Sequence, residues 1–299
     1  MLDKSVAIAA LARNCEENLP GNIVRIEELR RCFSSSSMFI YENNSTDRTK
    51  EILKDWQETC DSIYIQSEDI DETQYRSEQK EKRLYRGTSE GRIRKMCNCR
   101  NKLLDLIRCH GCFDYVIFVD IDIEWFSVDG VVKSIEKAPK DWGGLFSNCY
   151  VTYRCNGKSC NISEYYDTFA FLEYGRSPQE MNKNEINKIS RYFLSRKIYR
   201  NVTLNEYYGC SSAFGGIGIY QWNAIKDLKY EVFTPDLWRE KDSAQCEHIY
   251  FNSKIEGRCY IAKELLVCYF QIEKTFLEFV FVKNFPRLYS FLGLLKQLM

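Results

Sequence analysis

What this sequence lacks narrows it first. It has no excess of one charge: 42 Lys and Arg balance 42 Asp and Glu, and the formal net charge is zero. No global field therefore argues for nucleic acid or another polyanion as partner. Proline is scarce, at five in 299 residues, and no Pro/Ser-rich linker divides the chain, so it reads as one continuous domain with two functional halves. There is no internal repeat. The first apolar run, in "MLDKSVAIAALARNC", is short and carries no cleavage-site pattern. It is expected to be an opening strand, not a secretory leader, which makes the cytoplasm the expected compartment. Histidine is nearly absent, with only His110 and His248.

Cysteine, by contrast, is plentiful. The chain has 14, but it is long and shows no leader, so reduced and mostly buried thiols are expected in place of a disulfide framework. "CNC" at 97–99 with "CHGC" at 109–112 offers four thiols and an imidazole, yet the spacing matches no common zinc module. The 20 Tyr and 18 Phe suit either a core or a sugar-stacking cleft, and the count does not choose.

The hydrophobic pattern alternates between strand and helix. Strands are expected at 5–14, 37–45 and 62–67, with helices at 22–33 and 45–57 between them, which is the βαβαβ rhythm of a parallel, Rossmann-like sheet. The stretch 68–95 is nearly all polar and reads as a solvated excursion or a mobile lid. A helix at 94–108, a strand from 115, a helix at 128–138 and a strand at 142–153 complete the regular part.

The strand from 115 ends in "FVDID", with Asp120 and Asp122 two apart. Ligands of open α/β sheets gather at the carboxyl ends of strands. In extended chain, residues i and i+2 point the same way, so both carboxylates would face one site while Ile121 turns into the core. Two hard oxygen donors there suit Mg2+ or Mn2+ bound to a diphosphate. A second signal is "YENNSTDRTKEIL" at 41–53, an acid-bearing turn where Glu42, Asn43 or Asp47 could accept from base or ribose; helix capping by Ser45, Thr46 and Asp47 is the competing reading.

Four pieces taken in order, "ENNSTDRT" (42–49), "RKMCNCRNKLLD" (94–105) before "FDYVIFVDID" (113–122), "EYYDTFAF" (164–171) and "CEH" (246–248), resemble the capsule-associated α-mannosyltransferases first known from fungal capsule synthesis. That likeness spans roughly residues 5–270. It implies a GT-A fold, a single mixed α/β sheet flanked by helices, with a nucleotide-sugar half near 1–150 and an acceptor half near 151–272. It also implies a GDP- or UDP-sugar donor, a glycan acceptor and a hexose, mannose among the candidates. Asp122 would be the direct metal ligand and Asp120 would touch ribose or metal-bound water. Arg13, Arg100 and Asn101 would lie near the donor. An Arg beside a diphosphate makes chemical sense as a forked donor, although Arg100 could equally be a surface charge on its helix. The chain departs from fungal members in its "DID" strand end, which leaves the sugar open.

In the second half, Gly215, Gly216 and Gly218 of "GCSSAFGGIGIYQW" (209–222) would let a sugar approach the backbone, Gly216 in particular, or would simply make a turn in a packed sheet. His248 is a candidate third metal ligand or phosphate contact, and its neighbour Glu247 a candidate general base. If configuration is retained, as the resemblance suggests, Glu247 would position the acceptor instead. Asp167, with Tyr166 beside it, is a candidate acceptor contact. The tail 273–299 is apolar, aromatic and basic, and is divided by Pro286. It is too interrupted for a membrane span, but it suits a helix lying on a membrane, with Lys274, Lys283, Arg287 and Lys296 toward lipid phosphates, or packing against the domain or a second subunit. Two rivals remain. A sugar nucleotidyltransferase should carry a Gly-rich basic loop after the first strand, where "ARNCEENLPG" stands instead. A non-catalytic glycan-binding scaffold would not need Asp120, Asp122 and Glu247 together.

Overall fold

The apolar run near the start forms β1 (Leu2–Ala12), whose residues Val6 to Ala10 are all buried. A strand apolar on both faces must be covered on both, and that marks an inner strand of a helix-flanked sheet. α1 (Leu19–Arg30), β2 (Phe33–Asn43), α2 (Thr49–Thr59) and β3 (Ile63–Glu68) follow. β1 pairs with β2 and β2 with β3, both parallel. α3 (Glu90–Cys109) then returns the chain to β4 (Tyr115–Val119), parallel to β1 on its other side. The order β3-β2-β1-β4 is the Rossmann-like half expected from the sequence.

The computed structural model describes residues 1–75, 89–161, 164–182, 185, 187–238 and 243–298. The middle of the polar excursion expected as a solvated segment or lid, 76–88, lies outside the described residues. All fourteen cysteines are free, and Cys97 and Cys99 are buried in α3 while Cys109 and Cys112 are exposed.

The second half adds β5 (Trp125–Phe126), α4 (Val128–Glu136), β6 (Trp142–Cys155), β7 (Lys158–Asn161), β8 (Leu172–Glu173), α5 (Lys188–Leu204), β9 (Tyr207–Ser212) and β10 (Ile217–Gln221). After α6 (Trp222–Ile225) and α7 (Glu247–Asn252) comes the long β11 (Arg258–Glu273). β10 inserts between β4 and β6, antiparallel to both, and the sheet reads β3-β2-β1-β4-β10-β6-β11-β9-β8. One mixed sheet thus runs through both halves, flanked by helices, as expected for a GT-A fold. α1 touches α2 and α4, while α3 touches α7. The tail forms α8 (Phe276–Asn284) and α9 (Pro286–Leu298), and Thr275 and Glu278 close a capping box at the start of α8. No helix among the described residues is long and apolar enough to cross a membrane.

Candidate active site

β1 and β4 end side by side, and their carboxyl ends open into a cleft of about 820 Å³. That volume is within the range of small-molecule sites. Its walls carry Asp120, Asp122, Asp167, Glu247, His248 and Arg100. Arg100 and Glu247, 147 positions apart in sequence, meet here.

The Asp-x-Asp pair reaches the cleft by a different route from the one expected. β4 stops at Val119, and Ile121–Asp122 form a turn. Strand alternation therefore does not aim the carboxylates; the turn does, with Ile121 buried. The turn is gripped from α1 and its approach: Nδ2 of buried Asn22 donates to the Ile121 and Ile123 carbonyls at 2.9 and 2.7 Å, and Asn18 Nδ2 donates to the Asp122 carbonyl at 2.6 Å. The Asp120 N–H donates to the Gly216 carbonyl at 2.8 Å.

The electrostatics set these acids apart from solvated carboxylates. Burial and then the neighbouring Asp122 push the Asp120 carboxyl up to about 7, against the lowering effects of Arg100 and of the Tyr269 hydroxyl. Tyr269 donates to Asp120 Oδ2 at 3.0 Å, and its own phenol is held well up by the Asp120 charge. Asp122 is open to the cleft, yet the protein around it still desolvates and raises its carboxyl. Burial disfavours the ionised form of both carboxyls, so a cation bound between them would be favoured. Their hard oxygens fit a divalent ion in both charge and chemistry. Among the described residues, no three His, Cys, Asp or Glu side chains are grouped as a ready ligand set, so such an ion would complete its shell with water or phosphate oxygens.

Arg100 is no surface charge. Ile93, Cys97, Arg100, Leu104 and Ile107 follow helical spacing along the buried face of α3, with Arg100 at the centre of that stripe. Its Nε donates to Glu247 Oε1 at 3.0 Å, and its guanidinium lies 5.2 and 5.7 Å from the ring centres of Phe214 and Tyr230. Burial alone would raise the Glu247 carboxyl, but the Arg100 charge overrides it and holds the group at about 2. A carboxylate that acidic is a poor proton acceptor. The ion pair fixes the Glu247 carboxylate against the Arg100 guanidinium.

His248, at the start of α7, lies parallel to Phe214 with ring centres 4.0 Å apart. Burial first, and then the Arg100 charge, hold its imidazole well below its ordinary value, so the ring is neutral. Both ring nitrogens are buried and neither has a hydrogen-bond partner among the described residues. An orphaned neutral imidazole in a polar cleft is an open acceptor or ligand.

Asp167 lines the cleft but is already engaged. Its Oδ2 accepts from the Gly215 N–H at 3.0 Å and its Oδ1 from the Ala170 N–H at 3.3 Å, and burial raises its carboxyl against these bonds. Gly215 has φ +70°, and a Cβ there would come within 2.5 Å of Ser147 Oγ, so this turn requires glycine. Tyr166 lies on the cleft rim with its ring centre 4.6 Å from that of Tyr269.

Several expected contacts are not brought to the cleft wall. Glu42 is fully buried, and its carboxylate accepts from the Ser45 N–H at 2.9 Å and from the Ser67 hydroxyl, so it fastens the ends of β2 and β3 together. Asp47 accepts from the Glu16 and Thr49 N–H groups at 3.1 and 3.0 Å; it secures the start of α2, the competing capping role. Asn101 forms a two-way bond with the Tyr230 backbone, at 2.9 and 2.8 Å, and stabilises the wall behind Arg100. Gly216 has φ +95° and packs against Ile123, Val267 and Tyr269. Asn43 and Arg13 do line the cleft, Arg13 in an ion pair with Glu72. Sequence reasoning did not single out Tyr269, Phe214, Arg92, Lys95 or Arg191, which share the wall. The basic members make the cleft suited to phosphate despite its acids.

A family model described as cryptococcal mannosyltransferase 1 matches residues 5–253. A search of curated proteins returns no match. Among solved structures, the mannosyltransferase PcManGT from Pyrobaculum calidifontis, in complex with GDP-Man and Mn2+, is similar at 10% identity and a TM-score of 0.48, over 90% of this chain and 57% of that one. TarS 1-349 of S. aureus is similar at 14% identity and a TM-score of 0.44, over 90% of this chain and 60% of that one. Mannosyl-3-phosphoglycerate synthase from Rubrobacter xylanophilus is similar at 10% identity and a TM-score of 0.39, over 98% of this chain and 73% of that one. The chain therefore spans less than two thirds of the first two, and all three are remote in sequence.

Proposed function

Because this chain belongs to the family of cryptococcal mannosyltransferase 1, we propose that it is a metal-dependent glycosyltransferase that moves a hexose, with mannose the first candidate, from a nucleoside diphosphate to a glycan hydroxyl. The observation that carries the reading is the convergence of Asp120, Asp122, Arg100, Glu247 and His248 on one cleft at the carboxyl ends of β1 and β4. Asp122 and Asp120 would hold Mn2+ or Mg2+, which would supply positive charge to a departing diphosphate.

The chain's own residues divide the remaining work. Arg100 presents a buried guanidinium to the diphosphate, and Glu247 holds that guanidinium in place. His248, whose ring nitrogens have no hydrogen-bond partner among the described residues, would serve as a phosphate contact. The cleft cations Arg13, Arg92, Lys95 and Arg191 favour a phosphate-bearing donor over a neutral sugar. Tyr166 and Tyr269 offer aromatic faces for a hexose, next to Asp167. The ion pair that holds the Glu247 carboxyl low argues against its serving as an inverting base and favours a positioning role.

The test is turnover. Purified protein is incubated with GDP-mannose, and separately with UDP-glucose and UDP-N-acetylglucosamine, with Mn2+ and a mannan acceptor. Release of the nucleoside diphosphate and a lengthened glycan, both lost in Asp122→Asn, would support the proposal. Absence of turnover together with glycan binding that ignores nucleotide would overturn it in favour of a scaffold.

A further inference from the structure

The tail covers one side of the molecule and leaves an apolar face bare. α8 buries Phe279 and Val282 against β6 and β7. On its other side, Phe276 and Leu277 are 65% and 79% exposed, and Phe285, Leu288 and Phe291 continue the exposed face through α9. A helix apolar all round, with only one side packed, is unusual in a freely dissolved surface.

Two further observations identify what covers this face. The first is charge. From Lys274 to the end, the sequence has four bases (Lys274, Lys283, Arg287, Lys296) and one acid, Glu278, in a chain whose net charge is zero. That acid closes the capping box with Thr275. The side chains of Arg287 and Lys296 lie outside the described residues, while Lys283 is exposed. A segment of this composition disfavours pairing with its own copy across a two-fold axis and is attracted to an anionic surface. The second is continuity with the cleft. β11 carries Tyr269, which bonds Asp120, and next to it exposed Phe270, whose ring centre lies 5.5 Å from that of Tyr166 on the cleft rim. The same strand runs on through Glu273 into α8, so β11 links the cleft rim to the apolar face.

We propose that the face formed by Phe276, Leu277 and the exposed side of α8 and α9 docks on a lipid bilayer containing anionic headgroups, and so sets the cleft mouth at the membrane surface. The acceptor class that suits this arrangement is a glycan carried on a lipid; this clause rests on the transferase reading, whereas the docking does not. Burial of aromatic and aliphatic side chains in the headgroup region would supply affinity, and the bases would supply preference for negative lipid.

The experiment is vesicle flotation of the full chain with phosphatidylcholine alone and with added phosphatidylserine. Binding is expected with phosphatidylserine, weakening as salt rises. Phe276→Ser with Leu277→Ser should lower binding by roughly tenfold or more. Both residues are exposed, so thermal unfolding should be unchanged. Lys283→Glu, read in parallel, should weaken binding only to the phosphatidylserine vesicles. No flotation with either vesicle, or unchanged flotation in both variants, overturns the proposal. A dimer in sedimentation that dissociates in the double variant overturns it in favour of a second copy. Soluble nucleotide-sugar binding, measured without vesicles, reports on the transferase reading separately.

Discussion

Arg100 Nε donates to Glu247 Oε1 at 3.0 Å, between side chains only 6% and 5% exposed. Removing one partner leaves a buried charge unpaired. Glu247→Ala is therefore expected to cost about 3–5 kcal/mol, seen as a lower urea midpoint. The joint replacement Arg100→Met with Glu247→Leu should recover much of that stability and none of the turnover. If the joint replacement kept turnover, the pair would be structural only.

Asp122→Asn should separate function from folding. The folded protein raises this carboxyl, which means that folding disfavours its charged form relative to the unfolded chain, so removing the charge should leave stability unchanged or slightly higher. Denaturation without metal tests that sign. A marked loss of stability would mean that the carboxylate is held by a structural partner.

Asn22 is the support of the Asp-x-Asp turn. Asn22→Ala deletes two buried hydrogen bonds to the Ile121 and Ile123 carbonyls and should cost about 1–3 kcal/mol. Because the turn aims the carboxylates, affinity for a metal–nucleotide complex should fall as well, although Asn22 is not among the residues lining the cleft. Comparing urea midpoints with titration of Mn2+ and a nucleotide sugar separates the two effects.

A pH effect is expected at the opposite end of β1. Ser5 N–H and hydroxyl donate to Asp114 Oδ2 at 2.8 and 2.9 Å, and Lys4 donates to Oδ1 at 2.9 Å. The Ser5 backbone bond comes first among the causes that lower this carboxyl, so its contribution is present above the unfolded value of about 3.9 and is lost as pH falls through the lower folded value. Asp114→Asn should be less stable than wild type at neutral pH, and the gap should close toward strongly acid pH. Urea midpoints across that range would show it.

How far the site was legible depends on where each residue's partners lie. The β1–β4 half follows from local pattern, because parallel strands buried on both faces are continuous apolar runs. Asp120 and Asp122 stand out because they end such a run. Arg100 was legible in principle: it occupies the centre of the stripe Ile93, Cys97, Leu104, Ile107, where a surface charge does not belong. Glu42 was misleading because a polar turn looks solvent-facing, while its partner Ser67 lies 25 residues on. The antiparallel β10 between β4 and β6, and Tyr269 against Asp120, depend on pairings between distant segments that local periodicity does not encode.

The most direct measurement is calorimetric titration of GDP-sugars and UDP-sugars, with and without Mn2+, into wild type and Asp122→Asn. The account predicts metal-dependent binding of one nucleotide sugar by wild type, and its loss in the variant while the variant stays folded. Binding that ignores both Mn2+ and Asp122, or no binding of any nucleotide sugar, would contradict it.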